Sequence, residues 1–363
     1  MIRRSGRNGA YRRDDGMEGT ERFDGCLLGG ATGDALGYFL EKLDLKTIHK
    51  RYGSHGLRTV LALPNHGNKS VVSDDTQLTI FTADGLLWAA HEGLAFDQGL
   101  YRSYMRWYYT QTERVVEPEQ EAWMRRQAHE TAWGYDLMGD KSLFARRYPR
   151  KNSLVTLAAG EFFADRPAPN DCNGSGVLRS APVGLYFSAD PEKAFAVGCR
   201  SGELTHGNPA AYLTAGTLSA VIAVLTGGGA LREALADAFR FLQQRPQGIP
   251  VLKVLVRAVD EAVTDRNPVH SLQKLGLGWR ADEALAIAVY CVLKNDSLRE
   301  AVIMACNHDG DSDTCGAVCG NIAGALYGCR AVPNHWQKNL ECLGVLKTIS
   351  AALYAAANRE KTA

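Results

Sequence analysis

Apolar residues recur at helical spacing along most of the chain, whereas strict alternation of apolar and polar residues over several positions is hard to find. The clearest apolar stretches cover residues 78–90, 210–225, 251–263, 284–293, 301–305 and 316–327. Because no run of strands alternates with these stretches, the pattern disfavours a doubly wound α/β sheet. It predicts an all-α fold, a single compact multi-helix domain over residues 23–357 with a short tail at 358–363.

Two of the predicted helices carry glycine at every fourth position. The stripes are Gly25, Gly29, Gly33 and Gly37, and Gly316, Gly320, Gly324 and Gly328. Glycine inside a helix costs about 1 kcal/mol relative to alanine, so two such stripes need a compensating role. Glycines at this spacing share one helix face, and a face without side chains lets another backbone approach closely. The stripes therefore predict tight helix packing, which would also hold polar groups rigidly at the helix ends.

Two segments depart from the helical pattern. The first 22 residues have almost no aliphatic side chains and five arginines before Asp14, so we interpret residues 1–22 as a flexible Arg/Gly-rich N-terminal arm. Residues 108–153 are the least regular part of the remaining chain and are rich in Glu, Arg, Trp and Tyr. They could form an excursion over a binding cleft or amphipathic surface helices.

Charge and cysteine content narrow the class of protein. The formal net charge is only +1, which argues against nucleic-acid and anionic-membrane partners. No apolar run approaches the ~20 residues of a membrane helix, and the N-terminal arginines lack the apolar segment of a secretory signal. Nine cysteines without a repeated CxxC pair favour a reducing, cytoplasmic location over a disulfide framework or a zinc site.

Two short acidic segments stand immediately before predicted helices. They are Ser73-Asp74-Asp75-Thr76 and Asp309-Gly310-Asp311-Ser312-Asp313-Thr314. Either could simply cap its helix, since Ser and Asp side chains accept hydrogen bonds from free amides at an N-terminus. A cap needs one such side chain, however, and several carboxylates packed together repel one another unless cations lie between them. Oxygen donors without His or Cys suit Mg²⁺ or Mn²⁺, and two Asp pairs from distant segments could form a two-metal site.

Three further segments hold polar groups beside predicted helices. Glu41 lies at the C-terminal end of the first glycine-striped helix, an unfavourable place for a carboxylate unless it is solvated. The stretch Asn173-Gly174-Ser175-Gly176 could form an anion-binding nest, although most turns of this composition bind nothing. His206 precedes a proline turn, where a histidine is usually a hydrogen-bonded turn residue.

The order of five segments is more specific than any one of them. The segments are GDALGYFLE (33–41), SDDT (73–76), NGSGVLRSAPVGL (173–185), THGNPAAY (205–212) and NHDGDSDTCGAVCGNIAGALYG (307–328). In this order the chain resembles the ADP-ribosylglycohydrolase family, and its last segment resembles the bacterial arginine-type members most. The resemblance covers about residues 25–327, without the arm and with a poor match over 108–153.

The resemblance implies an all-α fold with two Mg²⁺ or Mn²⁺ ions. By match to the family motifs, the metal ligands would be Ser73, Asp74, Asp75, Asp311, Asp313 and Thr314. Glu41 matches a glutamate that contacts the metal centre and gates the cleft in some members, and either Asp75 or Glu41 would be the catalytic base. The positions matching contacts to the ADP-ribose moiety are Asn173, Gly174, Ser175, Gly176 and His206.

These features predict a metal-dependent hydrolase that removes ADP-ribose from a mono-ADP-ribosylated protein, with arginine as the expected linkage. A second hypothesis is a binding protein, similar to immunity proteins that pair such a domain with an N-terminal extension and neutralise an ADP-ribosyltransferase toxin. The arginine-rich arm motivates this hypothesis, although the arm could equally be a solvated terminus. Both roles are compatible in one molecule, and the complete carboxylate set disfavours a catalytically silent relative.

Overall fold

The computed structural model describes residues 17–112, 122–159, 168–188 and 190–360, and the regular structure in these ranges is helical. The helices are α1 (Gly19–Gly37), α2 (Leu45–Tyr52), α3 (Asp74–Glu92), α4 (Phe96–Thr112), α5 (Ala128–Trp133), α6 (Lys151–Ala158), α7 (Ser175–Leu178), α8 (Ala181–Tyr186), α9 (Pro191–Glu203), α10 (Pro209–Thr226), α11 (Leu231–Gln243), α12 (Ile249–Ala262), α13 (Pro268–Leu275), α14 (Ala281–Lys294), α15 (Leu298–Cys306), α16 (Ser312–Tyr327), α17 (Asn334–Gln337) and α18 (Leu343–Glu360). Within these ranges there is no strand, only three isolated β-bridges. The all-α prediction is confirmed.

Helix α10 is the central helix of the core. Its alanine, valine and leucine side chains are almost all buried, and α8, α9, α11 and α14 pack around it. By length and composition it is the one described helix apolar enough to cross a membrane, but 78% of it is buried inside the protein. Such burial is typical of the core helix of a globular domain.

The two glycine stripes lie against each other, α1 against α16. A Cβ atom built on Gly29 would lie 2.3 Å from the carbonyl oxygen of Gly320, and one on Gly33 would lie 2.0 Å from that of Gly316. Real Cβ atoms do not approach backbone oxygens so closely, so only glycine permits this contact. The predicted tight packing is confirmed, and it places the C-terminal end of α1 beside the first residues of α16.

The boundary predicted for the N-terminal arm is too far along the chain. Residues 1–16 lie outside the described residues, but α1 already begins at Gly19. Arg22 is buried and donates to the carbonyl oxygens of Ala325 and Leu326, both at 3.1 Å. Arg22 therefore fixes the first turn of α1 to the end of α16 through backbone carbonyl oxygens. The amino-acid composition of the N-terminal segment does not predict these contacts. At the other end, α18 continues to Glu360, so the first three residues assigned to the tail are helical as well.

The irregular region between α4 and α6 contacts the helical core through buried charged residues. Residues 113–121 of it lie outside the described residues. In the described part, His129 contacts Asp84 of α3 at 2.7 Å, and Arg147 donates to Glu341 at 2.7 Å. Arg147 also donates to the Val72 carbonyl oxygen at 2.8 Å, which places the end of the region close to the N-terminus of α3.

Candidate active site

The N-terminus of α3 carries the first acidic segment. The Ser73 hydroxyl oxygen accepts a hydrogen bond from the Asp75 amide at 3.0 Å and thereby caps the helix. Asp74 and Asp75 occupy the first turn, where the helix dipole favours carboxylates, and each is only 4% exposed. Since Ser73 already forms the cap, both carboxylates are available for another role.

Asp34 of α1 lies directly against this N-terminus, although it is not among the site residues predicted from the sequence. Its carboxylate accepts hydrogen bonds from the Ser73 amide at 3.0 Å, the Thr76 amide at 3.2 Å and the Thr76 hydroxyl at 2.5 Å. The side chain is completely buried. Asp34 therefore fixes α3 to the glycine-striped helix, and the available signal was an acid placed within a glycine stripe.

The second acidic segment lies at the N-terminus of α16. Asp311 precedes the helix, Asp313 lies in its first turn, and both are buried. The Thr314 hydroxyl donates to Asp75 Oδ2 at 3.0 Å, which joins segments 239 residues apart. Glu41, from the turn after α1, completes the group, because one carboxylate oxygen each of Glu41, Asp311 and Asp313 lie within 4.8 Å of one another. We define the acidic centre as Glu41, Asp74, Asp75, Asp311 and Asp313.

The buried aspartates here have raised pKa values. Burial, and then the charge of Asp313, raise the pKa of Asp34 to about 7. Burial raises the pKa of Asp74 to about 8, against the opposing effect of Arg150. Burial and neighbouring carboxylates also raise the pKa of Asp75 and of Asp313 well above the ordinary value. The protein surroundings alone therefore do not stabilise all of these carboxylates in their charged form.

The donor atoms of the acidic centre fit a hard divalent cation. Two buried carboxylate oxygens, Asp74 Oδ2 and Asp311 Oδ1, have no hydrogen-bond partner among the described residues. An unpartnered buried oxygen is costly, most of all on a charged group. Carboxylate and hydroxyl oxygens are the ligands that Mg²⁺ and Mn²⁺ prefer. The structure brings the two acidic segments together through the contact of Thr314 with Asp75, and the roles of the predicted ligands, like the type and number of ions, stay predictions.

Arg150 is a cation in this site that the sequence did not reveal. It directly precedes α6, and its Nη2 donates to Asp311 Oδ2 at 2.6 Å. Its guanidinium lies over the Trp279 ring, 5.1 Å from the centroid. Burial alone would lower the pKa of Arg150, but Asp311 and the other carboxylates outweigh burial and raise it. No local motif marks this arginine, because its partner lies 161 residues further along the chain.

His206 belongs to a buried polar group. The residue is completely buried, its Nε2 lies 3.0 Å from both Asn173 Oδ1 and Asn152 Nδ2, and its Nδ1 lies 2.8 Å from Thr205 Oγ1. Burial, and then the charge of Arg179, lower the pKa of His206 to about 3, so the ring is neutral near pH 7. Both ring nitrogens of His206 contact groups within the protein, and Nε2 lies against Asn173 Oδ1. The contact of His206 with ADP-ribose stays a prediction.

The rest of the segment predicted to bind ADP-ribose lies beside the N-terminus of α16. A Cβ atom at Gly174 would lie 2.8 Å from the Thr314 methyl carbon, so this approach favours glycine. Asn173 is partly exposed, and its Oδ1 accepts from the Ser175 amide at 2.9 Å. Gly174, Ser175 and Gly176 are buried. Of the four residues only Asn173 is partly exposed, its Nδ2 donates to Asn152 Oδ1 at 2.6 Å and Asp171 Oδ2 at 3.0 Å, and its contact with ADP-ribose stays a prediction.

Known proteins resemble this chain over almost its whole length. The family ADP-ribosylglycohydrolase matches residues 16–362. The chain is 26% identical over 356 residues to ADP-ribosylhydrolase ARH3 of Homo sapiens, across 88% of this chain and 89% of that protein. It is 23% identical over 326 residues to ADP-ribosylarginine hydrolase Tri1 of Serratia proteamaculans, across 89% of this chain and 76% of that protein. A solved structure described as an ADP-ribosylglycohydrolase-related protein complex shares the fold, with a TM-score of 0.61 at 23% identity over 94% of this chain and 99% of that one.

Proposed function

The chain belongs to the ADP-ribosylglycohydrolase family, and we propose that it is a metal-dependent hydrolase that releases ADP-ribose from mono-ADP-ribosylated arginine in proteins. The observation that carries the proposal is the acidic centre, in which carboxylates from distant segments meet and two buried oxygens lack partners. The arginine linkage is supported by the relative named ADP-ribosylarginine hydrolase, which matches 89% of this chain.

The reaction exchanges one bond at the ribose for another. The bond between C1″ and the guanidinium nitrogen breaks, water supplies the oxygen that bonds to C1″, and the departing nitrogen takes up a proton. The transition state carries positive charge at C1″, as in other glycoside hydrolyses, and nearby carboxylates would stabilise it. The carboxylates of the acidic centre would hold divalent cations, which would supply Lewis-acid polarisation to the reaction.

Glu41 is the residue best placed to take the proton from water. Its side chain is partly exposed, whereas Asp75 is 4% exposed and already accepts from the Thr314 hydroxyl. A general base must reach the water beside the substrate. We therefore assign the role of general base to Glu41 and the role of cation ligand to Asp75. The sequence had left both residues as candidates for the base.

The test is release of labelled ADP-ribose from arginine-modified and serine-modified proteins, with divalent cation and with EDTA. We expect release from the arginine-modified protein alone, and only with Mg²⁺ or Mn²⁺. Asp311→Asn should abolish release, while Asp296→Asn, a matched change at an exposed aspartate, should preserve it. Release from the serine-modified protein alone would overturn the arginine assignment, and equal release in EDTA would overturn the metal dependence.

A second proposed role concerns the N-terminal arm and an ADP-ribosyltransferase partner. The five arginines before Asp14 motivate it, and residues 1–16 lie outside the described residues. Because α1 begins at Gly19 and Arg22 is anchored, a deletion that tests the arm should end at residue 16. We expect the truncated protein to hydrolyse its substrate normally and to lose transferase binding. Unchanged binding would remove the arm from this role.

A further inference from the structure

Arg150 occupies a position in the acidic centre where positive charge is needed. Its Nη2 contacts Asp311 Oδ2 at 2.6 Å, while Oδ1 of the same carboxylate has no partner in the described part of the chain. Asp311 is completely buried, so Arg150 supplies only part of the compensation that this carboxylate requires. The guanidinium also lies over Trp279, which is 36% exposed. The Arg150 side chain thus contacts a buried carboxylate and a partly exposed ring.

Other arginines that enter the core are held by more contacts than Arg150. Arg147 donates to both carboxylate oxygens of Glu341, at 2.7 and 3.2 Å. Arg106 is completely buried and pairs with two different carboxylates. Arg150, in contrast, has a side chain that is 24% exposed and bonds a single carboxylate oxygen. Bidentate arginine pairs are stronger than single bonds, so of these three arginines Arg150 is the one that a competing cation can displace.

We propose that Arg150 is an internal counter-cation of the acidic centre, which neutralises Asp311 while no divalent cation is bound and releases this carboxylate when a cation binds. The inference rests on the metal site of the proposed function. In this role Arg150 acts through Asp311 and not on the substrate: its guanidinium lowers the electrostatic cost of the buried Asp311 carboxylate in the metal-free protein.

Removing the Arg150 charge should change two properties in opposite directions. A neutral replacement removes both a competitor for Asp311 and a like charge close to the incoming cation, so cation affinity should rise. The same replacement leaves a buried carboxylate without its partner, so the metal-free protein should become less stable. An arginine that merely shaped the site would act differently, because its loss would disorder the carboxylates and lower both affinity and stability.

The test is calorimetric titration of Mn²⁺ into the EDTA-stripped full-length protein, with wild type, Arg150→Gln and Arg146→Gln. Arg146 is an exposed arginine of the same segment, so its replacement changes the net charge equally. We expect Arg150→Gln to bind Mn²⁺ about tenfold more tightly than wild type, and Arg146→Gln to stay within about twofold. Arg150→Lys, which retains a cation, should stay near wild type and is available if the glutamine variant fails to fold. Equal or weaker binding by Arg150→Gln, or lost binding by Arg150→Lys, overturns the proposal.

Thermal unfolding of the same metal-free proteins is the second readout. Arg150→Gln should unfold at a lower temperature than Arg146→Gln, and saturating Mn²⁺ should remove most of that difference. Equal unfolding temperatures would overturn the proposal. A wild type that does not bind Mn²⁺ would overturn both the counter-cation role and the metal dependence. Tighter binding by Arg150→Gln in a protein that releases no ADP-ribose would overturn only the proposed function.

Discussion

Two groups of buried polar residues in this protein differ in how the negative charge of their aspartates is compensated. Both belong in part to α3, with Asp74 and Asp75 at its start and Asp84 near its middle. Around Asp84 the donors are Ser103 Oγ at 2.5 Å, His129 Nε2 at 2.7 Å, the Tyr135 hydroxyl at 2.9 Å and Arg106 Nη1 at 3.3 Å. We define Asp84 and these four residues as the Asp84 cluster.

Equal burial shifts the pKa in opposite directions in the two groups. At Asp84 burial raises the pKa, but Arg106 and His129 outweigh burial, and the pKa is lowered. At Asp74 burial raises the pKa to about 8, because Arg150 offsets only part of its effect. Burial of a carboxylate therefore does not by itself indicate a functional site. The indication is a buried carboxylate whose compensating charge the protein leaves incomplete.

The largest effect is expected on turnover at the acidic centre. Asp311→Asn keeps the side-chain volume but removes the charge that a cation needs, so kcat should fall by about 10³-fold or more. Since this carboxylate is poorly compensated, the free energy of unfolding should change by less than about 1 kcal/mol. ADP-ribose release and urea unfolding of the same preparation check both values. Near-wild-type turnover with saturating Mg²⁺ would remove Asp311 from the catalytic machinery.

The corresponding change in the Asp84 cluster should have the opposite profile. Asp84→Asn removes the buried carboxylate that His129 contacts and one of the two that Arg106 pairs with, and breaking a buried pair in this way costs about 3–5 kcal/mol of unfolding free energy. The turnover of the molecules that remain folded should match wild type. Urea unfolding and active-site-normalised kcat are the measurements. A stable Asp84→Asn protein with lost activity would mean that Asp84 is needed for catalysis and not for stability.

Sequence reasoning found one group and not the other for a physical reason. Asp74 and Asp75 are neighbours before an apolar run, so their mutual repulsion is visible locally. Asp84 is a single acid within a buried helix, and its hydrogen-bond donors come from residues 103–135. Part of that range lies in the irregular region 108–153, where the spacing of apolar residues does not predict the fold. Compensation by distant residues therefore cannot be predicted from local pattern.

The same distinction separates the predicted fold from the missed contacts. Glycine at every fourth residue is a local pattern, so close helix packing at both stripes could be predicted from the sequence, and α1 and α16 form that contact with each other. The contact of Arg150 with Asp311 spans 161 residues and has no local signature. The burial of His206 was likewise invisible, because it depends on Asn152 and Asn173 from separate segments.

A smaller effect is expected on the pH dependence of stability in the metal-free protein. With pKa values of about 7 at Asp34 and about 8 at Asp74, against an ordinary 3.8, the folded protein keeps protons that the unfolded chain has released. Folding then takes up protons, so the free energy of unfolding falls as the pH rises from about 4 to 8, by up to about 1.4 kcal/mol per pH unit for each of the two groups. Urea unfolding in EDTA should show this fall, and Asp74→Asn should flatten it. Identical profiles for wild type and Asp74→Asn would show that the acidic centre is already compensated.

The smallest expected effect tests whether the Asp84 cluster is purely structural. Ser103 Oγ donates to Asp84 Oδ2 at 2.5 Å, and three other donors remain when this hydroxyl is removed. Ser103→Ala should therefore lower the free energy of unfolding by only about 1–2 kcal/mol, with kcat unchanged. Both values can be measured on one preparation. A fall in kcat larger than the unfolded fraction explains would show that a change in the middle of α3 affects the acidic centre at its start. The carboxylates of α3 could then no longer be divided into a structural group and a catalytic group.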